Sequence, residues 1–298
     1  MILVVGATGM LGGMITQQLL AQGKDVRILV RHNSPSEAMA AQGMASSAQT
    51  LVAAGAQPVY GDMKDRASLD RAMAGVHTVL TTANSALRGG EDNPETVELH
   101  GNRNLIDAAK TAGVGHFIFT SAMGADSNSP DPFMRGKGQT EVAVRESGLT
   151  YTILYPNVFT EVWVGMVVGG PLRAGQPITL VGEARRLHTF VSMGDVAAFG
   201  VAAVDNPAAR NATIPIGGPE AVSWRAIVAG VEQIIGREVA TRFVQPGEPV
   251  PFVPDVVQGV LAAQDTYDSP LPMADIAATY GVTLTPMATV LQRMFGAR

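Results

Sequence analysis

No cysteine occurs in the 298 residues. That excludes disulfides, thiolate metal ligands and a cysteine nucleophile, and it fits a reducing compartment, so a cytoplasmic location is expected. Basic stripes are also missing. The 21 Lys and Arg against 26 Asp and Glu leave a formal net charge of -5, with no cationic helix face to neutralise phosphates, so no nucleic-acid partner is expected. Long apolar runs are lacking too. The most apolar stretch of the second half, Val162 to Val168, is interrupted by Gly165 and far too short for a bilayer, and no membrane association is expected. No basic and apolar leader precedes the first strand pattern, so no signal peptide is expected. The histidines His32, His77, His100, His116 and His188 show no H-x-x-x-H spacing, and no metal site is expected.

What is present is an apolar fraction of 46% with charged residues at 16%, the balance of a packed globular chain. Short β-branched runs alternate with longer helical patterns. Strands are expected at Ile2–Val5, Val26–Val30, Gln57–Tyr60, Thr78–Thr82, His116–Thr120 and Thr152–Tyr155. Helices are expected around Leu11–Gln22, Ser36–Ala54, Ser68–Ala74, Pro94–Ala112 and Gly138–Ser147. Such alternation builds an α/β fold, a doubly wound parallel sheet of Rossmann type. Leu11, Ile15 and Leu19 make a sheet-facing stripe on the first helix, and Gly23 suits its C′ position. After Tyr155 the rhythm changes. A helix is expected from about Asp195, a strand at Thr213–Ile216, and helices at Trp224–Ile235, Val256–Gln264 and Met273–Tyr280. The expected division is a dinucleotide-binding domain over 1–156, completed by about 188–218, with a smaller C-terminal α/β substrate-capping region from 157–187 and 219–298.

Between the first strand and first helix runs Gly6-Ala7-Thr8-Gly9-Met10-Leu11-Gly12. Gly6 permits a tight turn, Gly9 lets backbone approach a pyrophosphate, and Gly12 allows helix and strand to pack closely. The helix N-terminus then offers N–H groups and partial positive charge. The position after a strand and before an amphipathic helix separates this from a merely structural glycine turn.

The G-x-x-G-x-x-G spacing resembles the short-chain dehydrogenase/reductase superfamily, in its extended and atypical members. Other segments sharpen the likeness: Gly61-Asp62, Thr82-Ala83-Asn84, Thr120-Ser121-Ala122-Met123-Gly124, Lys137-x-x-x-Glu141, Ser147 to Thr152, Tyr155-Pro156-Asn157, Phe190 to Ala197 and Ile216 to Glu220. Together, over positions 1 to about 240, they resemble the NmrA-like branch, which includes quinone reductases, redox-sensing regulators and isoflavone-reductase relatives. The resemblance implies cofactor contacts from Gly6, Thr8, Gly9, Met10, Leu11, Gly12, Arg31, Asp62, Met63, Ala83, Asn84, Lys137, Tyr155 and Asn157. Asp62 matches the acid that contacts adenine.

The end of the second strand reads Val30-Arg31-His32-Asn33-Ser34. An acid there would bind a ribose diol; Arg31 instead suits a 2′-phosphate, so NADP(H) is expected, with Ser34 adding a hydroxyl. The alternative is a solvated Arg31.

Many members of the superfamily use Tyr-x-x-x-Lys. Here the spacing reads Phe133-Met134-Arg135-Gly136-Lys137, and Phe133 has no proton to give. The resemblance leaves Lys137 as ribose-binding or acid–base group, and a surface ion pair with Glu141 at i, i+4 is the plainer reading. Ser121 either orients a carbonyl or caps its loop. Asn84 lines the nicotinamide or makes a turn, and Asn157 and Phe159 touch substrate or serve packing. His188 and Asp195 suggest a catalytic pair, but Asp195 is expected as a helix N-cap. Trp163, Met123 and Met166 are either an apolar substrate wall or core.

The implied activity, with Lys137 and Ser121 as catalytic candidates, is NADPH-dependent reduction of a small apolar carbonyl, enone or quinone by a monomer or homodimer. The rival is a non-catalytic NADP(H)-sensing regulator of NmrA type that binds a protein partner.

Overall fold

The computed structural model describes residues 1–32, 46–86 and 88–296. Ser34 and the N-terminal part of the helix expected at Ser36–Ala54 lie outside them.

Seven strands form one sheet. In chain order these are β1 (Ile2–Val5), β2 (Val26–Val30), β3 (Gln57–Tyr60), β4 (Thr78–Thr81), β5 (His116–Thr120), β6 (Tyr151–Pro156) and, later, β8 (Ala212–Ile216). Their spatial order is β3-β2-β1-β4-β5-β6-β8. β1 pairs in parallel with both β2 and β4. The chain therefore runs outward one way through β2 and β3, then restarts at β4 on the other side. That reversal opens a crevice at the carboxyl ends of β1 and β4, where ligands bind in sheets of this kind.

Intervening helices are α1 (Met10–Ala21), α2 (Ala48–Ala53), α3 (Arg66–Ala72), α4 (Asn102–Thr111) and α5 (Pro132–Glu146). Ile15 and Leu19 of α1 are fully buried, and Gly23 adopts φ +70° just past the helix, as the apolar stripe and stop signal require. Leu3, Val5, Val79, Phe117, Phe119 and Ile153 are core residues from both sides of the chain reversal. Their uninterrupted apolar runs reflect strands covered on both faces. The expected helix at Pro94–Ala112 is split: Pro94–Gly101 is π-helical and runs into α4. α5 starts six residues earlier than the expected Gly138, because Asp131 accepts the Met134 N–H at 2.8 Å and Pro132 fills the first helical position.

The chain divides into two compact units. One holds Met1–Pro156, Val196–Pro215 and Thr279–Val282; the other holds Asn157–Asp195, Ile216–Ala278 and Thr283–Arg298. The return to the first unit is thus narrower than 188–218, and a short C-terminal piece joins it.

The second unit contains elements the sequence pattern did not reveal. Helix α6 (Thr160–Val164) continues as a π-helix over Gly165–Gly169 and then α7 (Gly170–Arg173). Strand β7 (Ile178–Val181) pairs in parallel with β9 (Thr241–Val244). The helices expected at Trp224–Ile235 and Val256–Gln264 are present, the second as Asp255–Gln264; Met287–Phe295 is a further one, and the unit's core includes Val164, Ile178, Trp224, Ile227 and Leu291.

Asp195 is not an N-cap. The helix begins at Met193, and the Asp195 carboxylate instead accepts the Thr285 N–H and hydroxyl, each at 2.7 Å. Glu161 accepts the Met193 N–H at 2.9 Å. Glu161, from outside the helix, shares the capping with Ser192 at the N-cap position, whose hydroxyl accepts the Gly194 N–H at 3.2 Å; only the Glu161 part is not encoded by local spacing. His188 bonds Ser269 Oγ and the Gln264 carbonyl, so it is a satisfied buried histidine rather than half of a pair with Asp195.

Candidate functional site

The turn after β1 is built by close approach. Gly6 has φ +84°, and a Cβ there would meet the Ala83 nitrogen at 2.8 Å. A Cβ on Gly12 would sit on the Gly6 carbonyl oxygen and 2.7 Å from Thr82 Oγ1. The Gly9 N–H closes the turn onto the Gly6 carbonyl at 2.9 Å. α1 then starts with no side-chain cap and no acidic residue in its first turn. Its leading N–H groups, including those of Met10 and Leu11, have no intrahelical acceptor by helix geometry. A neutral, uncapped N-terminus of a 12-residue helix at a sheet switch point is an anion cradle. Ser46 closes over the loop by donating its N–H to the Thr8 carbonyl at 3.0 Å, a contact without a signal in the sequence.

A second cluster lies at the carboxyl ends of β2 and β3. Arg31 NH1 is 2.6 Å from Asp92 Oδ2, Lys64 Nζ is 2.9 Å from Asp92 Oδ1, and Arg88 NH1 is 3.4 Å from Asp92 Oδ2. Burial works to raise the Asp92 pKa, but the hydrogen bonds from Lys64 and Arg31 outweigh it and bring it to about 2. The same bond to Asp92 pushes Lys64 upward. Beside them opens a cavity of about 570 Å³ lined by Arg31, His32, Tyr60, Asp62, Lys64 and Asp92, among others. The His32 and Tyr60 rings stack at 4.5 Å. Arg31 is thus neither a lone solvated residue nor the only cation there. Lys64, two residues past Asp62, was readable as a basic residue at a strand end; Asp92 arrives from a loop and was not.

Asp62 Oδ1 accepts the Lys64 N–H at 2.9 Å, leaving the carboxylate at the cavity rim. Met63, in contrast, is buried in the core, and its side chain does not join the cluster. Asn84 forms a turn, donating to the Thr82 carbonyl at 3.2 Å and accepting the Ala86 N–H at 3.0 Å. Tyr155 Oη accepts the Gly124 N–H at 2.9 Å. Asn157, the first residue of the second unit, has its buried Nδ2 without a protein partner.

Phe133, Lys137 and Glu141 share one face of α5. Lys137 is 3% exposed and donates to the Thr120 carbonyl at 2.8 Å, with the Phe119 and Phe133 rings 5.0 and 5.7 Å away. Burial lowers its pKa, and the charges of Glu98 and Glu141 oppose that shift. A surface pair with Glu141 is ruled out: Glu141 instead bonds Arg145 at 2.9 Å and the Ser121 hydroxyl at 2.5 Å. Glu98, fully buried in the π-helical segment, takes both the N–H and hydroxyl of Ser85 at 2.7 Å. Neither Glu98 nor Glu161 was singled out from sequence. Among the described residues no cluster suits a metal ion, and no helix is long and apolar enough to cross a membrane.

A parallel sheet with a glycine-lined, uncapped helix at its switch point defines a Rossmann-type nucleotide-binding protein. The NmrA-like family profile matches residues 1–277, and the chain belongs to the NmrA-like family. It is 30% identical over 239 residues to an NAD(P)H azoreductase of Xenophilus azovorans, covering 80% of this chain and 75% of that one. A photosystem II assembly factor of Cyanophora paradoxa is 30% identical over 236 residues, covering 79% and 69%. Among solved structures, the NADPH-dependent quinone oxidoreductase of Escherichia coli in complex with NADPH has a TM-score of 0.77 at 22% identity, covering 99% and 100%. The Citrobacter triphenylmethane reductase complexed with NADP(H) has a TM-score of 0.77 at 23% identity, covering 98% and 99%. The family thus includes NAD(P)H-dependent reductases, and these structural likenesses concern the fold.

Proposed function

We propose that the chain is an NADPH-dependent reductase of a small apolar acceptor, with quinones, enones and azo compounds ahead of simple ketones. The observation that carries this reading is the turn at Gly6, Gly9 and Gly12, packed so closely that added Cβ atoms would press on neighbouring main chain, leading straight into an uncapped helix N-terminus. Gly6, Thr8, Gly9, Met10, Leu11 and Gly12 hold the pyrophosphate through main-chain groups. Arg31 takes the 2′-phosphate, and Asp62 reaches the adenine side. Ala83, Asn84 and Tyr155 serve the nicotinamide end. When bound, NADPH supplies a hydride to the acceptor.

Lys137 and Ser121 act here as positioning residues. Lys137 donates to the Thr120 carbonyl and Ser121 to Glu141, and together they brace the end of β5. With Phe133 lacking a phenolic proton, acceptors that need little protonation in the rate-limiting step fit best. The test follows NADPH oxidation against quinones, azo dyes, enones and ketones, beside a calorimetric titration of the cofactor. Tight cofactor binding with no turnover of any acceptor would overturn the reductase.

The second reading, an NADP(H)-sensing protein that engages a protein partner, is favoured by the likeness to the photosystem II assembly factor and by Phe133. Partner capture that follows the NADP+/NADPH ratio and survives Lys137→Ala would select it.

A further inference from the structure

The Asp92 carboxylate has a peculiar set of partners. Among the described residues its side-chain hydrogen bonds all come from cations: Arg31 at 2.6 Å, Lys64 at 2.9 Å and Arg88 at 3.4 Å. No backbone N–H of the described residues holds it. The loop carrying it is separately closed by the reciprocal backbone bonds of Gly89 and Asp92, at 3.2 and 3.3 Å, and anchored by Asn93 capping the following helix. Three guanidinium or ammonium groups face one carboxylate. Opposing charge comes from Asp62, 3.9 Å from Lys64, and from Glu91 and Asp65 on the cavity wall, where Arg71 adds a further cation. Arg31 and Lys64 each contact a different oxygen of the same group, the way two cations share a phosphate. The cavity beside them, about 570 Å³, has room for an adenosine moiety.

We propose that Arg31 and Lys64 form a two-cation clamp for the 2′-phosphate of an adenine dinucleotide, and that Asp92 sets its selectivity by occupying the clamp until that phosphate displaces it. This rests on the dinucleotide reading given above. A dianionic phosphate outcompetes a monoanionic carboxylate for the same pair of cations. A ribose diol brings no charge and leaves Asp92 in its seat. Asp92 therefore works against NADPH and is neutral toward NADH, which narrows the preference between them.

Calorimetric titrations with NADPH, NADH and adenosine 2′,5′-bisphosphate test this on the full chain and on two variants. Lys64→Gln is expected to weaken NADPH and the bisphosphate about tenfold and to leave NADH unchanged, the loss of one charge-assisted hydrogen bond. Asp92→Asn is expected to tighten NADPH and the bisphosphate by about the same factor, again without effect on NADH. The proposal is overturned if Lys64→Gln weakens both dinucleotides alike or neither, or if Asp92→Asn leaves NADPH binding equal or weaker. Should the unaltered protein bind the bisphosphate with this variant pattern but neither dinucleotide, the reductase falls and the clamp stands. Binding of none of the three overturns both.

Discussion

The Lys137 ammonium, sealed from solvent, is hydrogen-bonded to the Thr120 main-chain carbonyl at 2.8 Å, on the residue directly before Ser121. The bond joins α5 to the carboxyl end of β5. It makes Lys137 a brace for the strand end, with Glu98 and Glu141 supplying the nearby negative charge.

Replacing Lys137 with methionine keeps the apolar stem but removes the donor to the buried Thr120 carbonyl, a loss of about 1–3 kcal/mol for a buried acceptor left unsatisfied. Denaturant titration reads that loss. The pH profile of quinone turnover is expected to keep its shape in the surviving fold. Disappearance of a basic limb would instead identify Lys137 as the proton donor.

Phe133→Tyr places a phenol beside Lys137, restoring the Tyr-x-x-x-Lys spacing. General acid catalysis is worth roughly 10²–10⁴ in rate, so turnover of a simple ketone is expected to rise by at least about tenfold. Quinone turnover, which depends less on that proton, should change far less. Steady-state rates on matched ketone and quinone substrates decide it.

Gly12→Ala drives a methyl group onto the Gly6 carbonyl oxygen. Overpacking of this kind costs about 1–3 kcal/mol. NADPH affinity should fall more than stability alone explains, since the cradle itself is displaced. Thermal unfolding measured with and without NADPH separates the two effects, and an unchanged ligand-induced rise in Tm would contradict the cradle.

His116 is buried at the start of β5, with Nε2 2.8 Å from Thr152 Oγ1. Burial, helped by the charge of Arg210, lowers its pKa from 6.5 to about 4. Above pH 6.5 the ring is neutral folded and unfolded, and stability is complete. As pH falls from there to about 4 the unfolded chain takes up the proton first, so stability declines by up to about 3 kcal/mol. His116→Gln should flatten that part of the stability–pH curve in urea titrations.

The sequence by itself determined the elements whose cause is local. Alternating strand and helix patterns up to Tyr155, the stripe of Ile15 and Leu19, the stop at Gly23 and the glycine turn are all carried by neighbours in the chain. The cation at Arg31 was legible for the same reason, as a residue at a strand end. β7 and β9 were not: they lie outside the regular strand–helix alternation and pair across about sixty intervening residues. Tertiary structure alone decided which charges meet. It brought Asp92 onto Arg31 and Lys64, set Glu161 against the Met193 N–H, and gave Lys137 and Glu141, whose plainer alternative was a surface pair, buried positions with separate partners. Periodicity reports which face of an element is apolar. It carries no record of which distant loop will place its carboxylate against that element's end.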